Sequence, residues 1–201
     1  MRLAFTGLMM AALAGAAYAV EIKSAYTKIE TDKNCAVFSA PQEDDPGDWL
    51  NLVCSGWRGY PVIVHYGDAR ESVFYGFPPE GELEWESFSG FNSTGPTVEW
   101  RIMSDGDRKW PFATIHRWFV DDGEGDGDNI EVLVVEKVGQ VSAREGCVVG
   151  YVVATGNENA NEKARRIADG QAFDFACGAD QPVVDAGDLM LPMTTGGDGG
   201  G

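Results

Sequence analysis

The chain has 201 residues, with 32 Asp and Glu against 15 Lys and Arg, and a formal net charge of −17. Such acidity argues against nucleic acid and anionic lipid surfaces as partners, because both require basic patches. It suits solubility in a secreted protein, with a cationic protein as the alternative reading for a macromolecular partner.

In chain order, Met1-Arg2 forms a short positive segment, Leu3 to Ala16 an apolar run, and Ala17-Tyr18-Ala19 a small-residue cleavage site. This is the pattern of a secretory signal peptide cleaved after Ala19. The run is shorter than the roughly twenty apolar residues that span a bilayer, so the expectation is a periplasmic or secreted protein with no membrane association after cleavage. Cleavage removes Arg2 and takes the net charge to −18. Residues 20–177 then suit one domain with a core of its own.

From Tyr26 to Ala154, short β-branched and aromatic runs alternate with Gly, Pro, Asp and Asn clusters. That pattern predicts strands and turns. The clearest strands are 61–66, 72–77, 97–103, 112–120, 130–138 and 147–154, with weaker ones at 25–30 and 49–54. Ser104-Asp105-Gly106-Asp107 reads as a hairpin turn. In 130–138, Ile130, Val132, Val134 and Val138 share one face and Glu131, Leu133, Val135 and Lys137 the other, which predicts one core face and one half-covered face.

Ala160, Ala164, Ile167 and Ala168 recur at helical spacing, with Glu162, Arg165, Arg166 and Asp169 on the outward side. The expectation is one amphipathic helix over about 159–169, capped by Asn159 and ended by Gly170 at a left-handed position. Phe173, Phe175 and Cys177 then alternate as an extended return to the sheet would. Residues 178–201, acidic and glycine-rich, are expected to be a disordered tail. The fold class is therefore α+β: an antiparallel sheet or sandwich with one C-terminal helix.

Cys35, Cys54, Cys147 and Cys177 make an even set in an oxidising compartment, which reads as two disulfides. Three pairings are open; Cys35–Cys54 and Cys147–Cys177 are favoured because each closes a local segment. Each bridge is worth on the order of 3 kcal/mol in the loop-entropy model. No CxxC spacing supports zinc.

Two segments carry candidate sites. In Cys54-Ser-Gly-Trp-Arg-Gly-Tyr-Pro61, Ser55, Trp57, Arg58 and Tyr60 form a binding candidate, because aromatic and arginine side chains carry most hot-spot energy and a tethered loop loses little entropy on binding. The bland alternative is a turn in which Trp57 and Tyr60 cover the end of the sheet. In the acidic run 121–129, Asp122, Glu124, Asp126 and Asp128 are spaced like a calcium loop, which needs many closely set oxygens. Leu133 stands at the twelfth position where a bidentate Glu belongs, so the primary reading is a solvated hairpin, with weak calcium binding as the alternative and no other metal or cofactor expected.

His65 and His116 are the only histidines, each inside a predicted strand with no nucleophile motif nearby. The serine-hydrolase pattern G-x-S-x-G is absent, and with 32 acidic residues a carboxylate pair for acid–base chemistry cannot be picked from sequence.

Tyr26-Thr27 with Cys35, the run Cys54 to Val62, Lys109 to Phe119, Val132-Leu-Val-Val135 and Asn161-Glu-Lys-Ala-Arg-Arg166 together resemble a group of small uncharacterised periplasmic proteins of Gram-negative bacteria. The resemblance covers roughly Tyr26 to Cys177; it implies the periplasm and is silent on activity. A looser likeness, through Ser55-Gly56 and Tyr60, is to periplasmic lysozyme inhibitors, which insert a Ser-Gly loop into an acidic cleft. Here the tyrosine is further away and Arg58 intervenes. The sequence thus predicts a disulfide-stabilised periplasmic binding or interaction protein that is not an enzyme, with two alternatives: an inhibitor of a cationic wall-degrading enzyme, and a hydrolase using unidentified carboxylates. It fixes neither the ligand nor the oligomeric state.

Overall fold

A computed structural model describes residues 20–42, 44, 47–123 and 128–196. The leader 1–19, Glu124, Asp126 and the last five residues lie outside these. Three layers stack: a four-stranded sheet, a six-stranded sheet and one long helix.

The small sheet has the order β2 (Cys35–Ser39), β3 (Trp49–Ser55), β4 (Pro61–Gly67), β5 (Arg70–Tyr75), all antiparallel. The large one runs β1 (Glu21–Lys28), β7 (Asn92–Asp105), β8 (Arg108–Asp121), β9 (Asn129–Lys137), β10 (Val148–Val153), β11 (Val183–Asp185). All its pairs are antiparallel except β10 with β11, which are parallel. A parallel neighbour needs a crossover, and the helix α2 (Ala160–Gln171) supplies it. A four-residue helix α1 (Thr31–Asn34) precedes β2, and two-residue strands β6 (Ser87–Phe88) and β12 (Thr194–Thr195) pair with each other.

The expected strands are present, several of them longer than predicted. The turn at 105–108 closes the β7–β8 hairpin, with Asp105 opposite Arg108. Both favoured disulfides, Cys35–Cys54 and Cys147–Cys177, are formed.

The main core fills the space between the sheets. Alternate residues Val98, Trp100 and Ile102 of β7, Trp118 and Val120 of β8, and Val132 and Val134 of β9 meet Leu52, Val62, Val64, Val73 and Tyr75 of the small sheet. A second core lies on the opposite face, where Ile115, Leu133, Val135 and Val152 pack under Ala160, Ala164, Ala168 and Ala172. The second face of β9 is buried under α2 at Leu133 and Val135 and partly covered at Glu131 and Lys137, as expected of a half-covered face.

The helix departs from expectation in its polar contacts and its ends. Arg165 and Asp169 do not both turn to solvent. Arg165 donates to both oxygens of Glu99, and Arg101 donates to both oxygens of Asp169, from Nε at 2.8 Å and from Nη2 at 2.6 Å. Ser24 completes this network by donating to Glu99 and accepting from Arg101. Asn159 gives no side-chain cap, and the helix runs through Gly170 to Gln171 in right-handed geometry. The segment after it is a series of turns, not a strand; Phe175 points into the second core while Phe173 is exposed.

The described part of 178–201, the segment expected to be a disordered tail, carries two short strands. Val183–Asp185 extends the large sheet, Lys163 pairs with Asp185 at 2.9 Å, and Thr194–Thr195 pairs with β6. The Cys147–Cys177 bridge ties the start of this segment to the sheet.

Candidate binding surface

β3 and β4 are joined by the turn that the sequence singles out. Gly56 is required there: a Cβ at this position would strike the Tyr60 carbonyl oxygen and the Trp100 ring. Its N–H donates to the Tyr60 carbonyl at 3.0 Å, and the Tyr60 N–H donates to the Trp57 carbonyl at 3.0 Å, so a 3-10 turn over Trp57–Gly59 is locked from both sides. Cys54, fully inside the core, ties the base of the turn to β2.

The four predicted residues divide their roles. Trp57 and Tyr60 pack half-buried against the main core, their ring centroids 6.3 Å apart. Tyr60 meets Phe77 edge-on, and its hydroxyl donates to Gln140 Oε1 at 2.9 Å; Gln140 in turn donates to the carbonyls of Pro111 and Val138. Burial raises the Tyr60 hydroxyl above its ordinary pKa, so it stays a donor. Ser55 and Arg58 are exposed. Arg58 holds left-handed backbone (φ 46°, ψ 42°) and lays its guanidinium over the Trp57 ring, 4.9 Å from the centroid. Such geometry costs roughly 1 kcal/mol in a non-glycine residue.

Alternation along the strands carries this turn onto the outer face of the small sheet, where Asn51, Val53 and Ser55 of β3 lie beside His65, Ile63 and Pro61 of β4. Val37 and Phe38 of the edge strand β2 are more than half exposed, at 58% and 54%. A groove of about 490 Å³ is floored by Asn51, Ile63 and His65 and walled by Phe38 and Leu83. Phe38 and His65 have ring centroids 6.1 Å apart. Sequence reading missed this groove, because its walls come from two segments far apart in the chain; the only local signal was the apolar pair Val37-Phe38 in a short edge strand.

The histidines do not meet. His65 lies on that outer face, and partial burial lowers its pKa. His116 is fully buried between the sheets, its Nε2 bonded to the Gly95 carbonyl and its Nδ1 to the Tyr75 hydroxyl, both at 2.5 Å. With Nε2 as the donor, Nδ1 accepts from Tyr75. Burial lowers its pKa to about 4, so it is a neutral structural residue.

One half-buried and one buried carboxylate, Glu86 and Glu136, also escaped sequence reading. Glu136 of β9 faces the main core in register with Val132 and Val134, and Glu86 lies beside it. Burial, with the Glu84 charge, raises Glu86 to about 7; burial and Glu86 raise Glu136 far above the carboxylate range. A glycosidase-type pair needs one carboxylate kept ionised while its partner is protonated. Here both are pushed the same way.

The acidic hairpin connection is described only at its ends. Asp121 accepts from the Gly123 N–H at 2.7 Å in a tight turn, and Asp122 and Asp128 flank the segment that holds Glu124 and Asp126, both outside the described residues. Among the described residues no three His, Cys, Asp or Glu side chains are arranged to hold a metal. Nor is any described helix long and apolar enough to cross a membrane.

No protein-family model, curated protein or solved structure matches this chain.

Proposed function

We propose that the protein is a non-catalytic binding protein of the periplasm or extracellular space, and that it engages a basic protein partner through the Ser55–Tyr60 turn and the adjoining outer face of the small sheet. One observation carries this reading: Arg58 is held in left-handed backbone on an exposed, disulfide-braced tip, its guanidinium stacked on Trp57. Strained backbone persists where the surrounding structure over-determines it, and it clusters at functional sites. Arginine and tryptophan are also the residue types that dominate binding hot spots.

The rest of the molecule supports the same reading. The disulfides suit an oxidising compartment, as does the resemblance to small periplasmic proteins. A net charge of −17 speeds encounter with a basic partner, while Arg58 would meet an acidic group within that partner's contact surface. Neither histidine is placed for catalysis, and in the Glu86–Glu136 pair both carboxyl groups are pushed toward the protonated form instead of apart.

Lysozymes are basic proteins with carboxylates in their clefts, so they are the natural first partners to test. Purified protein is titrated against lysozymes of several types, with binding and wall-lytic activity both measured, and the titrations are repeated with Arg58→Ala and Trp57→Ala. Binding that falls at least about tenfold in both variants, with unchanged circular dichroism, supports the proposed surface; loss of lytic activity alongside it would make the protein an inhibitor. Binding that both variants retain would refute the role of the turn, and the absence of any binding would remove lysozymes as the partner class.

A further inference from the structure

A second concave site lies where the C-terminal segment folds back over β10. Its cavity, about 220 Å³, is walled by Val148, Phe175, Val184 and Leu191, with Glu86, Tyr151, Asp180, Gln181 and Thr194 as its polar side chains. The Tyr151 hydroxyl lies beside Thr194, and the backbone of Val148 lies beside the Glu86 carboxyl group. Glu136 is buried behind Glu86, only 3% exposed. Among the described residues neither glutamate forms an ion pair with a lysine, arginine or histidine, although five of the eight described arginines do find carboxylates. The cavity therefore offers an apolar chamber with an uncompensated acidic end.

We propose that this cavity is a binding site for a small organic monocation with an apolar body, an arylalkyl- or alkylammonium, with its ammonium on Glu86 and its hydrocarbon against Val148, Phe175 and Leu191. Size supports the class: an apolar cavity of roughly 150 Å³ accepts benzene, so the larger volume here admits a ring with a short arm. Chemistry supports it too. A buried carboxylate without a cationic partner gains most from a ligand that brings the cation and fills the apolar walls. A hard metal ion would need six or more oxygen ligands, which these walls do not supply.

Binding is coupled to protons. Glu86 titrates near neutrality because of burial and Glu84, and Glu136, Tyr151 and Asp180 are the other ionisable groups around the site. An ammonium beside Glu86 favours its ionised form, so binding below pH 7 releases protons to the buffer.

The test is calorimetric titration of the full folded protein with phenethylammonium chloride, the neutral isostere 2-phenylethanol and the anion 3-phenylpropionate. The expected result is saturable phenethylammonium binding at least about tenfold tighter than the alcohol, no binding of the anion, and proton release seen as a buffer-dependent heat at pH 6. Glu86→Gln, checked for native circular dichroism, erases the preference of cation over alcohol. Leu191→Trp, which fills the chamber without touching its charge, abolishes binding of both and decides the matter if Glu86→Gln does not fold. Equal affinity for cation and alcohol, an unaffected Glu86→Gln variant, unaltered binding by Leu191→Trp, or no saturable binding at millimolar phenethylammonium would each overturn the proposal.

Discussion

His116 shows how one residue type can carry structure where chemistry might be sought. Its ring bridges the two sheets through Tyr75 and the Gly95 carbonyl, and its pKa lies near 4 because the core disfavours the cation. A base whose pKa falls on folding contributes stability that is complete above its unfolded value, about 6.5, and is lost as pH falls toward 4. The loss amounts to about 3 kcal/mol. His116→Phe should remove that acid-side loss, while destabilising the protein at pH 7 by roughly 2–4 kcal/mol because two buried polar groups lose their partner; urea denaturation at pH 7 and pH 4.5 checks both. Asp68 and Ala69 form a two-residue hairpin loop with φ of 53° and 54°, geometry that asks for Asn-Gly. Ala69→Gly should therefore raise stability by about 1 kcal/mol, measured by thermal melting. The binding candidates Ser55, Trp57, Arg58 and Tyr60 were legible in sequence because they fall within six residues. Phe38 and His65 were not, since only strand pairing brings them together.

Among the elements, α2 shows why pattern reading succeeded in part. The alanine stripe correctly gave the buried face, because small residues at helical spacing have one packing solution against a sheet. Of its outward charges Glu162 and Arg166 are exposed as expected, while Arg165 and Asp169 engage Glu99 and Arg101, which nothing in the local sequence announces on a strand some sixty residues earlier. Those two, both 7% exposed, make the helix–sheet contact polar as well as apolar. In this setting Glu99 is subject to burial, which would raise its pKa, but hydrogen bonds from Arg165 and Ser24 and the nearby guanidinium charges hold it low. Arg101→Met should cost about 3 kcal/mol, since it strands Asp169 and half of the network, and the loss should appear as a lower urea midpoint with unchanged far-UV dichroism before unfolding. β11 was invisible for a different reason. Three residues with a flanking proline carry too little periodicity, and the parallel pairing that orders them depends on α2 crossing over first.

For the whole molecule, the three-layer arrangement buries both faces of the large sheet and leaves the outer face of the small sheet to solvent. That asymmetry was foreseen only as a sheet with one helix; which face the helix would take was not written in any local pattern. It also fixes the pH response. Glu86, with a folded pKa near 7 against an ordinary 4.5, contributes stability that is complete below about 4.5 and is lost as pH rises through 7. His116 acts in the opposite sense, so stability should peak in mildly acidic solution. Glu86→Gln should raise the melting temperature progressively between pH 5 and pH 8, by up to about 3 kcal/mol of stability, and have little effect at pH 4.5; thermal scans across this range check the trend.

The claim that the Ser55–Tyr60 turn meets a protein partner is tested most directly by photocrosslinking in the living host. A photoreactive amino acid is placed at Ser55, on the exposed turn, or at Glu162, on the exposed side of α2, with each variant secreted at native level. The account predicts a discrete adduct with one basic protein from position 55, lost on adding Arg58→Ala, and none from position 162. Adducts only from position 162, or a position-55 adduct indifferent to Arg58, would contradict it.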